Sequence, residues 1–496
     1  MEIQELYNAI RSGDEVRANL IELRRELKTE EKQRALAYLL GGDFTVFTGL
    51  LKSPDPKVRK NAALILGDME TEDVLPSLFE AYQREETLFV RADYLKAMEK
   101  LDCRPFLEAL KDRQKKLLET APAEENRKHY REELAALQAL ILNYERPKHH
   151  RFLEVYPAPD VILLTNRCQK KVTADQIRTG TVTELSSGLR VKDGDLGELM
   201  KIRTYQEMLF PIPKARPISG TPEKIGEELA ALSIPDYLDR LHQEGGTYYY
   251  RLEVKGPMAM EKRGSFLRRI AGILDEKTGG RLCNAPGDYE IELRLLERRD
   301  GSFLPMLRLY TLPDKRFAYR KETVASSIAP VNGALTAALA REYLKEGAQV
   351  LDPFCGVGTM LIERNALVPA RTMYGVDLYG EAIEKARKNT QAAGCVVHYI
   401  NRDFFDFTHE YLFDEIITDM PRLSGEGRQQ ELERLYGNFF EKSLLHLKKE
   451  GILILYTMEP DLARRQIRRL GEYELLEEFL MNEKNQTEVM VIRRKK

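Results

Sequence analysis

The sequence of 496 residues has few of the residues that staple small folds together. It contains five cysteines, an odd number, and no two of them form a CxxC pair. This argues against a disulfide framework and against a structural zinc site, and we predict no bound metal. We expect most of these cysteines to be reduced core thiols: Cys103, Cys168, Cys283, Cys355 and Cys395.

Long apolar runs are also missing. No stretch approaches the roughly 20 apolar residues that a membrane-spanning helix requires. The first residues have the pattern of a polar helix and not of a signal peptide. These absences predict a cytoplasmic globular protein with no membrane partner, and the length predicts about three domains.

A strong net charge is missing as well. The formal net charge is -2, which does not by itself indicate a nucleic-acid-binding protein. The charge is nevertheless unevenly distributed, because residues 151–330 carry about +4 and the segments on either side about -3 each. Only the middle third is therefore expected to attract a polyanion.

The first 145 residues show helical periodicity and an internal repeat. The stretches "DPKVRKNAALILG" (55–67) and "ETLFVRADYLKAM" (86–98) each place a Val-Arg pair before an apolar helical stripe, about 32 residues apart. This pattern resembles HEAT-type helical hairpins and predicts a short all-α solenoid that ends in a helix over 124–143. The alternative is an ordinary helical cap.

The helical pattern stops in "NYERPKHHRF" (143–152), which contains Pro147 and a basic cluster. We place a domain boundary here. His149 and His150 could be metal ligands, but adjacent histidines do not share a helix or strand face, and linker residues are the favoured interpretation.

Residues 150–320 combine strands and helices. The order is a strand at 247–256, an amphipathic helix at 264–280, and strands at 288–296 and 303–311. This β-α-β-β order, together with "CNAPGDYEIEL", resembles the THUMP domain, a small ferredoxin-like α+β module that binds RNA. The resemblance implies that a basic cluster contacts RNA, whereas the alternative is a solvated helix face; the cluster comprises Lys262, Arg263, Arg268 and Arg269.

The segment "VLDPFCGVGTMLIERNAL" (350–367) joins an apolar strand to a helix through a glycine-containing turn. Gly356 and Gly358 permit a tight turn, and the following helix directs its N-terminal amides toward a ligand. A dinucleotide fingerprint would have a third glycine where Leu361 stands, and Asp352 would repel a pyrophosphate. The turn therefore favours a nucleoside with a positive charge and no phosphate, such as S-adenosylmethionine.

Further acids follow the next predicted strands. Asp377 ends the second strand, where an acid binds ribose hydroxyls. Asp403 follows the third strand, at the position to accept from an adenine amine, and Asp419 ends the fourth. Because the carboxyl ends of parallel strands meet at one edge, all four acids are predicted to line one cleft of a Rossmann-like α/β domain with a seven-stranded sheet, the class I methyltransferase plan.

The motif "DPFCGVGTMLIE" resembles the first motif of the THUMP-associated RNA methylases, and the resemblance covers about 150–496. It implies transfer of a methyl group from S-adenosylmethionine to the exocyclic N2 of a guanosine in structured RNA, tRNA or rRNA. The implied cofactor-binding residues are Asp352, Pro353, Cys355, Gly356, Gly358, Thr359, Asp377, Leu378, Asp403, Phe404 and Asp419.

The implied catalytic segment is Asp419-Met420-Pro421-Arg422, matching a family pattern Asp/Asn-x-Pro-Tyr/Phe. Asp419 would accept a hydrogen bond and a proton from the target amine, and the Met420 carbonyl would be a second acceptor. Arg422 departs from the pattern. Three interpretations stay open: its guanidinium stacks on the base, Tyr436 or Phe439 replaces the missing ring, or the catalytic site has decayed.

The segment 320–344 leads into the methylase. The resemblance implies that Ser327, Ala329 and Pro330 line the cofactor, although a simple helix cap at Ser326 or Ser327 would also account for the pattern.

The resulting prediction is a HEAT-like domain over 1–145, a THUMP-like region over 150–320 and a methyltransferase over 321–496. The helical repeats could hold a protein partner. Two rival functions are a protein or small-molecule methyltransferase and a non-catalytic RNA-binding protein that keeps only the cofactor pocket.

Overall fold

The computed structural model describes residues 3–120, 122–146, 148–153, 155–422 and 428–496. Pro147, part of the predicted boundary, lies outside the described residues. The chain forms two compact units, one of Met1–Leu153 with Ile212–Thr311 and one of Glu154–Pro211 with Leu312–Lys496. This differs from the single region expected over 150–320, because local periodicity does not reveal which neighbouring core a strand packs on.

The helical part of the first unit contains nine α-helices in its described residues. They are α1 (Ile3–Ser12), α2 (Val16–Glu26), α3 (Glu30–Leu40), α4 (Thr45–Leu50), α5 (Pro56–Asp68), α6 (Leu75–Arg84), α7 (Leu88–Met98), α8 (Leu107–Glu119) and α9 (Arg127–Leu142). Their apolar faces share one continuous core. The sequence repeat has a structural meaning, since Val58 and Val90 are both buried and Arg59 pairs with Glu85 of the following repeat at 2.7 Å.

Residues 155–211, in the second unit, form a small antiparallel sheet with the order β2-β3-β1-β4. Its elements are β1 (Val161–Thr165), α10 (Lys170–Ala174), β2 (Thr181–Leu185), β3 (Gly188–Lys192), α11 (Leu196–Leu199) and β4 (Tyr205–Pro211).

Residues 212–311 complete the first unit with two helices followed by the expected strand, helix and strands. The elements are α12 (Pro222–Ala230), α13 (Ile234–Leu241), β5 (Tyr248–Lys255), α14 (Met260–Lys277), β6 (Leu282–Asn284), β7 (Ile291–Glu297) and β8 (Phe303–Leu309). The short strand β6 was not predicted. The strand order is β8-β7-β5-β6, with β5 parallel to β6 and β7 and with β8 antiparallel to β7.

Residues 312–496 form the largest sheet. Its helices are α15 (Pro330–Leu339), α16 (Thr359–Leu367), α17 (Gly380–Ala393), α18 (Arg428–Leu444) and α19 (Pro460–Leu470). Its strands are β9 (Gln349–Asp352), β10 (Thr372–Asp377), β11 (His398–Asn401), β12 (Phe413–Asp419), β13 (Leu447–Thr457), β14 (Tyr473–Asn482) and β15 (Thr487–Arg494). The order is β11-β10-β9-β12-β13-β15-β14, and β15 is antiparallel to both of its neighbours.

Two apolar clusters cover the faces of this sheet. Successive residues of a strand point to opposite faces, and accordingly Val350 of β9 belongs to one cluster and Leu351 to the other. Helices therefore pack on both faces, which leaves the ends of the parallel strands as the place for a ligand. In the described part of the chain, no helix is both long and apolar enough to cross a membrane.

Candidate functional site

Four carboxylates lie where the parallel strands of the large sheet end. Asp352, Asp377 and Asp419 are the last residues of β9, β10 and β12, and Asp403 follows β11 by two residues. Since β9 to β12 run parallel, these acids share one edge, which we call the carboxyl edge. The four acids therefore lie at one edge, as predicted, and follow one another along the sheet in the order Asp403, Asp377, Asp352, Asp419.

The turn after β9 is built around its two glycines. Gly358 has φ +84°, and a Cβ there would lie 2.2 Å from the hydroxyl oxygen of Tyr399. Gly356 has φ +50°, and no atom of the described residues lies within 4 Å of the place a Cβ would take, while its amide donates to Asp377 Oδ2 at 2.8 Å. The turn is thus tightly packed next to Gly358, whereas the space next to Gly356 is open.

The remaining residues of the predicted cofactor set fall into two groups. Pro353, Cys355 and Phe404 are buried. The ring centroids of Phe404 and Phe354 lie 5.8 Å apart. These three residues therefore support the turn from the interior of the domain. Leu378 is 60% exposed beside Asp377 and offers an apolar surface to a ligand.

Thr359, the first residue of α16, has its buried hydroxyl without a hydrogen-bond partner among the described residues. A buried polar atom without a partner is costly. The unpaired hydroxyl therefore makes the start of α16 a candidate position for a hydrogen bond to a ligand.

The electrostatics of the carboxyl edge are unusual. Burial raises the pKa of Asp352 to about 8, and the negative charges of Asp377 and Asp419 act in the same direction. Burial likewise raises the pKa of Asp419 to about 7, against the opposing effect of Arg422. A ligand with ammonium and sulfonium charges would favour the ionised forms of these acids, and a phosphate would not; the residues present therefore fit S-adenosylmethionine.

The predicted catalytic segment, residues 419–422, is held by the neighbouring strand. The amide of Met420 donates to the carbonyl of Tyr456 at 3.0 Å, and Tyr456 stands beside Asp419 in the parallel pairing. Asp419 Oδ2 and Arg422 Nη2 are 3.9 Å apart. The sequence analysis missed Tyr456, although its position at the end of "ILILYT", the strand next to Asp419, was a usable signal.

The structure decides against one of the interpretations of Arg422. Tyr436 and Phe439 are 1% and 0% exposed, and the Tyr436 hydroxyl lies 2.5 Å from that of Thr457. Neither ring offers a free face to a base. Their helical periodicity reflects packing in the core and not replacement of the missing aromatic residue.

The lead-in to α15 provides no serine cap. The N-cap of α15 is Ala329, without a side-chain hydrogen bond, and Ser327 Oγ accepts from the amide of Val324 at 3.0 Å. Asn332, one turn into the helix, places its amide nitrogen 3.5 Å from the hydroxyl of Tyr456. The segment is therefore connected to the carboxyl edge through Asn332, a residue that the sequence analysis did not single out.

The four basic residues predicted to contact RNA are not equivalent. Arg263 donates to the carbonyls of Met258 and Gly256, and Arg269 pairs with Glu223. Lys262 and Arg268 are exposed, and Arg268 uses only its Nε, toward a carbonyl of its own helix. In the described part of the chain, only Arg269 of the four has its charge paired with an acid; Arg263 is held in place by carbonyls, and Lys262 and Arg268 project their charge into solvent.

Arg268 also lines a cleft within the first unit. The cleft has a volume of about 1230 Å³ and lies between α9, α14 and the turn at 284–288. Its walls carry small residues, among them Ala135, Ala139 and Gly272, and its rim carries charges of both signs.

The two adjacent histidines are not simple linker residues. His150 donates its backbone amide to Glu290 at 2.6 Å, its ring lies 2.8 Å from the same carboxylate, and it stacks on Tyr248. The local sequence gave no indication that the His150 ring would be buried beside the Glu290 carboxylate. Among the described residues, no group of three potential ligands is placed to hold a metal ion.

Comparison with known proteins places these features in context. Residues 320–486 match the family model described as "RMKL-like, methyltransferase domain". The C-terminal region is a methyltransferase domain. Residues 3–99 and 43–138 match HEAT repeats, which confirms the predicted helical repeat.

Two curated relatives match part of the chain. A tRNA (guanine(6)-N2)-methyltransferase of Thermus thermophilus is 32% identical over 149 residues, 28% of this chain and 44% of the relative. A tRNA (guanine(10)-N2)-dimethyltransferase of Methanothermobacter thermautotrophicus is 31% identical over 206 residues, 38% of this chain and 60% of the relative. The chain thus spans about half the length of each of these relatives.

The crystal structure of TrmN from Thermus thermophilus superposes with a TM-score of 0.51 at 18% identity. The match covers 68% of this chain and 99% of that one. At this identity the likeness shows the fold, and it agrees with the class I methyltransferase plan of the large sheet.

Proposed function

We propose that the protein is an S-adenosylmethionine-dependent methyltransferase that modifies the exocyclic N2 of a guanosine in tRNA. This proposal rests on the carboxyl edge, where the buried Asp352 and three partly buried acids, Asp377, Asp403 and Asp419, surround an open glycine turn inside a methyltransferase domain. The two relatives named for tRNA guanine-N2 methylation support the choice of substrate.

Cofactor binding is assigned to the turn and the strand ends. Asp352 would neutralise a positive charge of the cofactor from its buried position, and Asp377 and Asp403 would accept from its hydroxyl and amine groups. The space above Gly356 would allow the cofactor to approach the backbone closely. S-adenosylmethionine, when bound, supplies the methyl group.

The target amine is assigned to Asp419. Guanine N2 is a weak nucleophile because its lone pair is delocalised into the ring, so it needs orientation more than a strong base. Asp419 and the Met420 carbonyl would accept the two N–H bonds. As the new N–C bond forms and the cofactor's S–C bond breaks, Asp419 would take the departing proton, for which a pKa of about 7 is suitable.

RNA binding is assigned to the first unit. The helices α12 to α14 and strands β5 to β8 follow the order of a THUMP-like module, and Lys262 and Arg268 provide available positive charge on α14. The HEAT-like repeats form one wall of the adjoining cleft and are proposed to extend the RNA-binding or partner-binding surface. The cytoplasmic location stays a prediction.

The decisive experiment uses nucleoside mass spectrometry. Bulk tRNA and rRNA from a strain lacking the gene would be compared with those from strains expressing the wild type, Asp419→Ala or Asp461→Asn. Asp461 is an exposed acid paired with Arg464 and serves as the matched control. We expect one N2-methylated guanosine to be lost in the deletion and Asp419→Ala strains and kept in the Asp461→Asn strain.

The rival functions give different results in the same experiment. An unchanged nucleoside profile in the deletion strain would contradict RNA methylation. In that case, transfer of labelled methyl groups to protein or small molecules in an extract would favour another methyltransferase. Binding of S-adenosylmethionine without transfer of its methyl group would favour a non-catalytic RNA-binding protein. The departure from the family pattern at Arg422 is the sequence feature that favours this alternative.

A further inference from the structure

The spacing between Asp419 and Arg422 leaves both groups able to bind a third partner. Their closest oxygen and nitrogen atoms are 3.9 Å apart, farther than a hydrogen bond but close enough for electrostatic attraction. The Asp419 side chain is 16% exposed and that of Arg422 is 50% exposed. Asp419 therefore places hydrogen-bond acceptors in the less exposed part of the site, and Arg422 places donors in the more exposed part.

The turn between the two residues restricts their relative position. The Met420 amide is held by the carbonyl of Tyr456, and Pro421 has a fixed backbone φ. The backbone hydrogen bond and the proline ring thus hold the main chain between Asp419 and Arg422, from which both side chains extend.

This pattern of groups matches the Watson–Crick edge of one base. Guanine presents an amine donor, a ring N–H donor and a carbonyl acceptor in sequence along that edge. A carboxylate provides only acceptors and a guanidinium only donors, in a planar fork. Adenine offers an amine donor but carries a ring acceptor and no carbonyl, so it would leave Arg422 unpaired and place a lone pair against Asp419.

We propose that Arg422 is a specificity-determining residue that donates to O6 of a flipped guanine while Asp419 accepts from N1–H and N2–H. This inference rests on the proposed function and extends it by assigning base recognition to the residue that departs from the family pattern. Stacking of Arg422 on the base would require the guanidinium to leave the position beside Asp419, whereas recognition in the plane of the base uses the position observed.

The test changes only the O6 atom. Wild-type protein is first given tRNA from the deletion strain and labelled S-adenosylmethionine, and the methylated guanosine is mapped. The same tRNA is then assembled with 6-thioguanosine at that position, which replaces O6 by a weaker acceptor and keeps N1–H and N2. We expect kcat/KM of the wild type to fall about tenfold on this substitution, as expected for loss of a base-reading contact.

Variants separate the contribution of Arg422 from that of the sulfur atom itself. In Arg422→Met we expect the two substrates to differ less than about twofold, because the group that senses position 6 is gone. Arg371→Met is the matched control, since Arg371 is an exposed arginine just before β10, at the opposite end of the strand from Asp377; it should keep the wild-type ratio. Calorimetry with S-adenosylmethionine should give the same affinity for all three proteins.

Each contrary outcome has a distinct meaning. If guanosine is methylated but Arg422→Met keeps the tenfold ratio, the inference is overturned and the proposed function stands. If Arg422→Phe has the wild-type kcat/KM and also keeps the tenfold ratio between the two substrates, Arg422 acts by stacking and the inference is again overturned. If the wild type methylates no guanosine at all, the proposed function fails and the inference fails with it.

Discussion

The basic helix α14 of the first unit and the carboxyl edge of the second unit place their charges differently. On α14, Lys262, Arg268 and Arg269 are exposed, and Arg269 pairs with Glu223 while Arg263 donates to carbonyls. At the carboxyl edge Asp352 is buried and the Asp419 side chain is 16% exposed, and burial raises the pKa of both acids far above the ordinary value. Each exposed charge contributes little binding energy, so several must act together. A single buried charge, by contrast, can decide whether a ligand binds.

The same contrast holds for ion pairs. Arg364 and Glu415 form a buried pair, 0% and 1% exposed, with two hydrogen bonds of 2.8 Å. Arg269 and Glu223 form a pair that is 59% and 44% exposed. Burial should therefore decide how strongly the protein responds to the loss of each charge.

The largest effect is expected for the buried pair. Arg364→Met should destabilise β12 by about 3–5 kcal/mol, because Glu415 is left as an uncompensated buried charge. Arg269→Met should change the stability of α14 by less than about 1 kcal/mol. Hydrogen exchange of the amides in β12 and α14 measures both; equal effects would show that burial does not distinguish the two pairs.

The glycines of the turn should differ next. Gly358→Ala should cost about 2–4 kcal/mol, since its Cβ would collide with Tyr399 in a left-handed backbone conformation. Gly356→Ala should cost about 1 kcal/mol but should weaken cofactor binding, because the methyl group enters the open space. Thermal unfolding and calorimetry of both variants are the measurements. A normal affinity of Gly356→Ala for S-adenosylmethionine would contradict the placement of the cofactor.

Stability of the second unit should depend on pH through Asp352. Its pKa is raised from 3.8 to about 8, so between these values the native state binds a proton that the unfolded state does not. Stability is therefore greatest at low pH within this window and falls as pH rises, by about 1–2 kcal/mol between pH 6 and 7.5. Asp352→Asn should flatten this dependence in thermal unfolding, whereas Asp461→Asn should retain it; a wild-type profile that rises with pH would refute the assignment.

The smallest effect is expected on the exposed helix. Replacing Lys262 and Arg268 together by alanine should lower RNA affinity and reduce the slope of log affinity against log salt by about 2. Replacing Arg263 and Arg269 together should reduce the slope by only about 1, because Arg269 is already paired with Glu223, whereas Arg263 keeps its charge while donating to carbonyls. Filter binding of tRNA at several salt concentrations distinguishes the pairs, and identical slopes would mean that α14 acts as a uniform basic surface.

Much of the second unit was predictable because its signals are local. The apolar strands ending in Asp352, Asp377 and Asp419, and the glycines between the first strand and its helix, appear as short continuous patterns. The short strand β6 (Leu282–Asn284) was missed, because three residues are too few to show a strand pattern.

Side-chain roles that depend on distant partners were not predictable. His150 was interpreted as a linker residue, yet it packs against Glu290, which is 140 residues away in sequence. Tyr436 and Phe439 looked available to a base, yet both are buried. Lys262 and Arg263 are neighbours in sequence, and only the fold shows that one is free and the other engaged.

The sequence by itself determined that acids end successive parallel strands around a glycine turn, since strand periodicity and chain direction suffice to place them on one edge. Only the tertiary structure decided which charges are buried and which are paired. Burial depends on elements far apart in the chain, and it sets the pKa of Asp352 and Asp419. The distance between Asp419 and Arg422, on which the proposed role of Arg422 depends, is likewise not readable from the letters of the motif.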